Sequence, residues 1–245
     1  MTKSFYYIFT MKIFDEILQT LTDFSIKDVR VGKNWTVVES KNCGFGLNFP
    51  ETYPMFTRFT GELISKSAKE IAQFSKSWNP TEASIGVAAI NSLIDPVGEK
   101  INGLDYVEEI AQDKEIVFIG HFPRLDKIKN RAKSLKIIEK VPKEGDYPDT
   151  ASEFLIPRAD ITVISGSVFV NKTYKRLLEL SKNCYTILLG PSVIMSDVLF
   201  EYGVDALAGS TVLNPTKVLI AVSQGAHLKD FSKYLQYIIR FREKR

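Results

Sequence analysis

The chain reads as an α/β protein: a Rossmann-like parallel sheet domain preceded by a smaller α+β domain. Three observations predict this. Beyond residue 113, short apolar runs alternate with helical patterns, an order that gives a parallel sheet with crossover connections. The first of these runs, Ile116-Val117-Phe118-Ile119, stands unbroken between Glu115 and Gly120, as a strand covered on both faces does. Ahead of residue 113 the order is different: a helix, three strand-like segments, then further helices. The chain therefore divides into an α+β domain with its connector, residues 1–112, and a Rossmann-like domain, residues 113–245.

Ile13, Ile17, Leu18 and Leu21 recur at helical spacing and make residues 12–22 an amphipathic helix. Residues 26–31 and 35–40 are rich in strand formers, and Gly32-Lys33-Asn34 joins them as a hairpin turn. A third strand falls in 42–50, where Gly44 and Gly46 permit either a close backbone approach or a bulge. Leu63, Ile64, Ala68, Ile71, Ala72 and Phe74 predict a helix over 61–75. The next helix has a clear start: Asn79 as N-cap, Pro80 at the first helical position, and Glu82 completing an approximate capping box. Its body, residues 85–91, is small and apolar almost all round, which describes a buried helix. Asn91 is the polar exception and needs a partner, either in the core or in a ligand cleft. Asp95-Pro96-Val97-Gly98 ends that helix, and a polar connector with a short helix at 104–111 follows.

In the second half, strands are predicted at 116–119, 135–139, 161–165, 185–189 and 206–208. Helices are predicted at 125–133, 151–157, 173–181, 194–202 and 215–223. A last helix carries Phe231, Leu235, Ile238 and Ile239 at helical spacing, and its solvated end holds Arg240, Arg242, Lys244 and Arg245.

Composition narrows the function classes. With 32 Lys and Arg against 29 Asp and Glu, no strong field favours nucleic acid or an anionic membrane. The two cysteines, Cys43 and Cys184, form neither a zinc pattern nor a disulfide framework, which fits a reducing compartment. The run from Phe5 to Phe9 is too short for a signal peptide, and no stretch approaches the roughly 20 apolar residues of a membrane span. The expectation is a cytoplasmic protein with no nucleic-acid or membrane partner, starting at Met1 or Met11. A homodimer is the default assembly.

If the sheet is parallel, the turns after its strands open on one edge and form one ligand site. After the first strand comes Gly120-His121-Phe122-Pro123, with Gly120 making the tight turn and Pro123 placed in the first turn of the next helix. His121 is one of only two histidines, and at that edge it can act as a general base or as a metal ligand. The other, His227, reads as a surface-loop residue. Glu139 follows Gly120 by nineteen residues, close to the interval at which an acid meets a ribose hydroxyl in nucleotide-binding βαβ units. The turn is not G-x-G-x-x-G, however, and its bulky residues suit a flat ring or a metal complex better than a diphosphate. Glu144, Asp146 and Asp149 can bind a hard cation or a substrate amine. Ser165, Gly166, Ser167, Asn171, Thr173, Gly190, Pro191 and Ser192 supply hydroxyls, amides and backbone N–H groups for an anionic or polyoxygenated ligand. Capping alone also accounts for Ser167 and Ser192. No P-loop, nucleophile elbow or H-E-x-x-H motif is present.

Together these segments resemble the heavy-metal chelation family, a group of poorly characterised prokaryotic proteins. The resemblance rests on I-G-H-F-P at 119–123, E-K-V-P-K-E-G-D-Y-P at 139–148, I-S-G-S-V-F-V-N-K-T at 164–173, L-G-P-S at 189–192 and Y-G-V-D-A-L-A-G at 202–209. I-G-V-A-A-I-N at 85–91 resembles the family's N-terminal part. The resemblance implies an enolase-N-terminal-like domain, then a Rossmann-like domain, with the site in the cleft between them. It also implies a pterin-, flavin- or siderophore-like ligand, or a divalent heavy metal held as a chelate. His121 would then be the acid/base or metal group, Glu139 and Asp146 the ligand's hydroxyl or amine partners, and Asn171, Thr173 and Ser192 the anion-positioning set. Phe122, Pro123 and Asn91 complete the candidate site. Two alternatives stand beside this reading: a methyltransferase that holds S-adenosylmethionine through Glu139, and a metal carrier with no catalytic activity.

Overall fold

In the computed structural model, residues 11–49 and 56–243 are described; the aromatic run from Phe5 to Phe9, and Lys244 and Arg245 of the basic cluster, lie outside them. The chain begins with helix Lys12–Thr20, which buries Ile13, Phe14, Ile17 and Leu18 on one face. Strands β1 (Asp28–Val31), β2 (Trp35–Glu39) and β3 (Cys43–Leu47) follow as an antiparallel sheet. The predicted hairpin turn is present, closed by the Gly32 N–H donating to the Trp35 carbonyl at 2.8 Å.

Helix Pro80–Leu93 lies across β3, and the glycines explain how closely. A Cβ on Gly44 would stand 2.2 Å from the Ala88 carbonyl oxygen, and one on Gly46 would stand 2.1 Å from that of Ser84. The paired glycines therefore serve backbone contact and not a bulge. The helix start also follows expectation, since the Asn79 side-chain oxygen accepts from the N–H groups of Thr81 (2.9 Å) and Glu82 (3.3 Å). The capping box does not form. Glu82 turns instead to the Arg58 guanidinium (2.8 Å) and the Ser77 hydroxyl (2.7 Å), while the Asn79 N–H donates to Ser77 Oγ. Asn79→Ala should cost about 1 kcal/mol and lower the melting temperature by roughly 2–4 °C, read by calorimetry.

One predicted helix breaks up. Residues 61–75 contain a 3-10 turn Leu63–Ser65, a short helix Ala68–Ala72 and a second 3-10 turn Gln73–Lys76. Lys66 is extended, and Ser67 caps a fresh start by accepting from the Glu70 N–H, so the apolar spacing spans two elements.

The second sheet contains β4 (Glu115–Ile119), β5 (Ser134–Glu139), β6 (Tyr147–Pro148), β7 (Ile161–Ser165), β8 (Tyr185–Leu189), β9 (Ala206–Val212) and β10 (Leu235–Phe241), in the order β10-β9-β8-β7-β4-β5-β6. Every pairing is parallel except β10 with β9. The protein is thus a mixed α/β fold with a mostly parallel seven-stranded sheet and a small antiparallel one. From β4 the chain winds outward to β5 and β6, then returns to β4's other side with β7. The reversal falls between β4 and β7, and in open α/β sheets ligands bind at that point beyond the carboxyl ends.

The predicted last helix is strand β10. Ile238 joins the apolar cluster on one face of the sheet and Ile239 the cluster on the other, so a strand buried on both faces mimics helical spacing. Pro123 is corrected as well: the next helix is Leu125–Arg131, preceded at its N-cap position by Arg124 in the left-handed conformation at φ 61°. Of the predicted helix 194–202 only Val198–Glu201 is helical, because Val193, Ile194 and Met195 run irregularly through the core. The segment 151–157 is a string of single turns, Asp149–Ala151, Ser152–Leu155 and Ile156–Arg158.

The apolar interior continues across residue 112. Phe14 sets its ring edge-on to Phe169 and Tyr174, 6.1 and 5.5 Å away. Phe45 stacks on Phe231 at 5.6 Å beside Trp35. Among the described residues no helix is long and apolar enough to cross a membrane.

Candidate functional site

The turn after β4 leaves the sheet through Gly120, whose φ of +104° favours glycine; its N–H still donates to the Ile138 carbonyl at 3.0 Å. His121 follows and is held at two points. Its backbone N–H donates to Glu139 Oε1 at 2.8 Å, and its ring Nε2 lies 2.6 Å from Asp146 Oδ2. Asp146 is fixed in turn, accepting from the Lys143 N–H at 2.9 Å, and its side chain is only 4% exposed. The Lys143 N–H first, and then His121, hold the Asp146 carboxyl below the usual carboxylate range against the opposing effect of burial. An ionised carboxylate only accepts, so Nε2 carries a proton, and in the neutral ring Nδ1 keeps a lone pair. Among the described residues, no hydrogen bond engages Nδ1.

His121 opens onto a cavity of about 460 Å³ at the carboxyl ends of β4, β5 and β7. One wall is polar: Ser165 and Ser167, with hydroxyls 2.9 Å apart, then Asn171 and Thr173. Asn171 Oδ1 accepts from both the N–H and the hydroxyl of Thr173, which leaves the Asn171 amide N–H groups as donors. The lining also holds apolar residues, Ile119, Ile138 and Val168 with Leu47 and Phe49 from the antiparallel sheet and its exit, and charged ones, Glu139, Lys140, Asp149, Glu153 and Arg176.

The predicted single site is therefore partly assembled. Gly120, His121, Glu139, Ser165, Asn171 and Thr173 line this cavity. Phe122, Pro123, Gly190 and Pro191 line a separate one. Asp146 is the partner of His121 rather than a free group, and Glu139 accepts from the N–H groups of His121 and Lys140. Gly166 backs onto the chain, since a Cβ there would meet the Val193 nitrogen at 2.5 Å. Ser192 is 3% exposed, and its carbonyl lies 3.5 Å from the Asn91 amide, which also donates to the Phe45 carbonyl at 3.0 Å. Asn91, half-buried, thus ties β3 to the β8 turn. His227 is exposed and heads helix Leu228–Phe231.

A family model described as "Putative heavy-metal chelation" matches residues 102–241, and a second with the same description matches residues 14–94. The chain belongs to this heavy-metal chelation family. A crystal structure of a protein of unknown function from the same family, from Desulfitobacterium hafniense DCB-2, is 30% identical and superimposes with a TM-score of 0.84 over 94% of this chain and 98% of that one. A second, from Pyrococcus horikoshii, shares the fold at 24% identity, with a TM-score of 0.81 and the same coverage. An uncharacterised protein of Methanocaldococcus jannaschii is 28% identical over 201 residues, covering 76% of this chain and 78% of that one.

The family description raises the question of metal donors. Among the described residues no group of three or more His, Cys, Asp or Glu side chains is placed to hold a metal ion. Burial, reinforced by Glu39, pushes the Cys43 thiol up to about 12, so it is not a ready thiolate. Cys184 is buried and donates to the Ile156 carbonyl. Among the described residues the donor set does not fit a cage of protein ligands.

Leu47, Phe49 and Arg176 line the cavity without having been anticipated. Arg176 forks onto Glu153 and also reaches Glu179 at 3.2 Å. No sequence signal distinguishes that arginine from a solvated helix charge. Leu47 and Phe49 follow the Gly44 and Gly46 pattern, which marks where β3 comes close to the rest of the chain.

Proposed function

We propose that the protein binds a ring-containing organic chelator as its metal complex in the cavity beside His121, with His121 Nδ1 as the protein's donor to that metal. The observation that carries this reading is the His121–Asp146 pair. Metal-ligating histidines usually give their other ring N–H to a carboxylate, which fixes the tautomer and strengthens the donor. The family description supports metal handling, and the missing cage among the described residues favours a metal that arrives with its own ligands. A volume of about 460 Å³ is of the size that takes small organic ligands. Its apolar residues suit a ring, and its hydroxyl and amide groups suit the ring's polar edge. A cytoplasmic setting suits two unpaired cysteines.

The same pair is also the arrangement of a general base, and the test separates the two roles. A methyltransferase role for Glu139 would have to share a carboxylate that two backbone N–H groups already use. The melting temperature is measured with zinc chloride, with phenanthroline, and with their equimolar complex as a stand-in chelate. A ligand at a hundred times its dissociation constant adds about 2.7 kcal/mol, and each kcal/mol moves the midpoint of a chain this size by roughly 2–4 °C. The complex should stabilise more than either component. Equal stabilisation by phenanthroline alone would remove the metal from the reading, and equal stabilisation by zinc alone would point to a protein cage.

A further inference from the structure

The turn after β4 has a cavity on each side. Gly120 and His121 line the one already described, whereas Phe122, Pro123 and Arg124 line a second, of about 330 Å³, at the carboxyl end of β8 and beside the middle of β9. We infer that this second cavity is a separate ligand site for a compact aromatic carboxylate, recognised by the Arg124 guanidinium.

Shape and chemistry both point there. Gly190 ends β8 at φ +118° with open space where a Cβ would stand, so the wall is set back from the cavity. Leu189, Leu228 and the rings of Phe122 and Tyr237 make the lining largely apolar, which suits a ring. Among the described residues, Arg124 is the single charged one in that lining. Its guanidinium lies 3.1 Å from an Asp105 oxygen in an exposed ion pair, and among the described residues it makes no hydrogen bond. An exposed pair of this kind holds the side chain weakly, and the guanidinium keeps the planar fork of donors that matches a carboxylate. A single cation that already faces the Asp105 carboxylate favours a singly charged group over a doubly charged phosphate, and the ligand carboxylate would take the place of Asp105 on the guanidinium. Arg124 also sits in the left-handed region at φ 61°, a conformation a non-glycine residue holds at a cost, and it is the residue that turns the chain from this cavity into helix Leu125–Arg131.

The test uses the full chain and two fluorescent probes of the same shape, naphthoate and naphthamide, read by fluorescence anisotropy. Naphthoate should bind and naphthamide should bind much more weakly. Arg124→Gln should weaken naphthoate by roughly tenfold or more, as loss of a charge-assisted bond does, and leave naphthamide unchanged. Arg124→Gly, which suits the left-handed backbone, should repeat that loss even if the glutamine variant folds poorly. Leu228→Trp, which fills the cavity, should weaken both probes. The zinc–phenanthroline complex should not displace naphthoate. Equal binding of the two probes, insensitivity to both Arg124 substitutions, or displacement by the zinc complex would overturn the assignment; the last would mean that one cavity takes both molecules.

Discussion

Replacing His121 with alanine is expected to abolish the stabilisation by the zinc–phenanthroline complex, because the cavity then offers no imidazole to the metal. Asp146→Asn is the sharper variant. The amide keeps the shape of the carboxylate but not its charge: its oxygen still accepts from the Lys143 N–H and from Nε2–H, so the ring keeps its tautomer and loses the charge-assisted bond. The imidazole would stay in place as a weaker donor on the metal side. Changes at such supporting carboxylates typically cost about 10–100-fold in metal affinity, and titration calorimetry of the complex would read that loss. The pH dependence has a definite sign. Asp146 is held below the usual carboxylate range, so its contribution to stability is fully present above the ordinary carboxylate value and is lost as pH falls through the lower folded value. Binding of the metal complex should weaken on acidification too, since a nitrogen that takes a proton cannot hold a metal. Unchanged affinity in Asp146→Asn would remove the orienting role of Asp146.

Gly86→Ala is expected to be among the most damaging single-methyl additions in this protein. A Cβ there would stand 1.9 Å from the Ser75 nitrogen and 2.4 Å from the Phe74 carbonyl carbon, so backbone stands against backbone and no flexible side-chain end can give way. The cost should reach or exceed the upper end of overpacking penalties, about 3 kcal/mol, a loss of roughly 6 °C or more in the melting temperature. Gly145→Ala is the control. Its φ of +89° is unfavourable for alanine, yet nothing lies within 4 Å of the added carbon, so only the backbone term of about 1–2 kcal/mol should appear. Equal losses at the two positions would mean that helix Pro80–Leu93 is not seated as closely as the glycines imply.

The strands that are apolar runs ending at a glycine, β4 and β8, are legible in the sequence because burial on both faces and a left-handed exit leave separate marks. Helix Pro80–Leu93 is legible from Asn79 and Pro80 at its start. Strand β10 is not, since Ile238 and Ile239 point to opposite faces and imitate a helix. The candidate site is legible as a location and less so as an arrangement. His121 and Phe122 are adjacent in the chain, but a turn sends neighbours to opposite sides, and the sequence does not say which side each takes. The carboxylates are ambiguous for a related reason. Glu139 and Asp146 sit where a ligand could use them, and local N–H groups and an imidazole claim them instead.

The most direct test of the central claim is anomalous diffraction at the zinc edge from crystals grown with the zinc–phenanthroline complex. A zinc peak at about 2.0–2.1 Å from His121 Nδ1, with the aromatic chelator between Phe49 and Ile119, is the predicted result. A zinc peak held by several protein side chains elsewhere, or a chelator in the cavity with its metal turned away from His121, would contradict it.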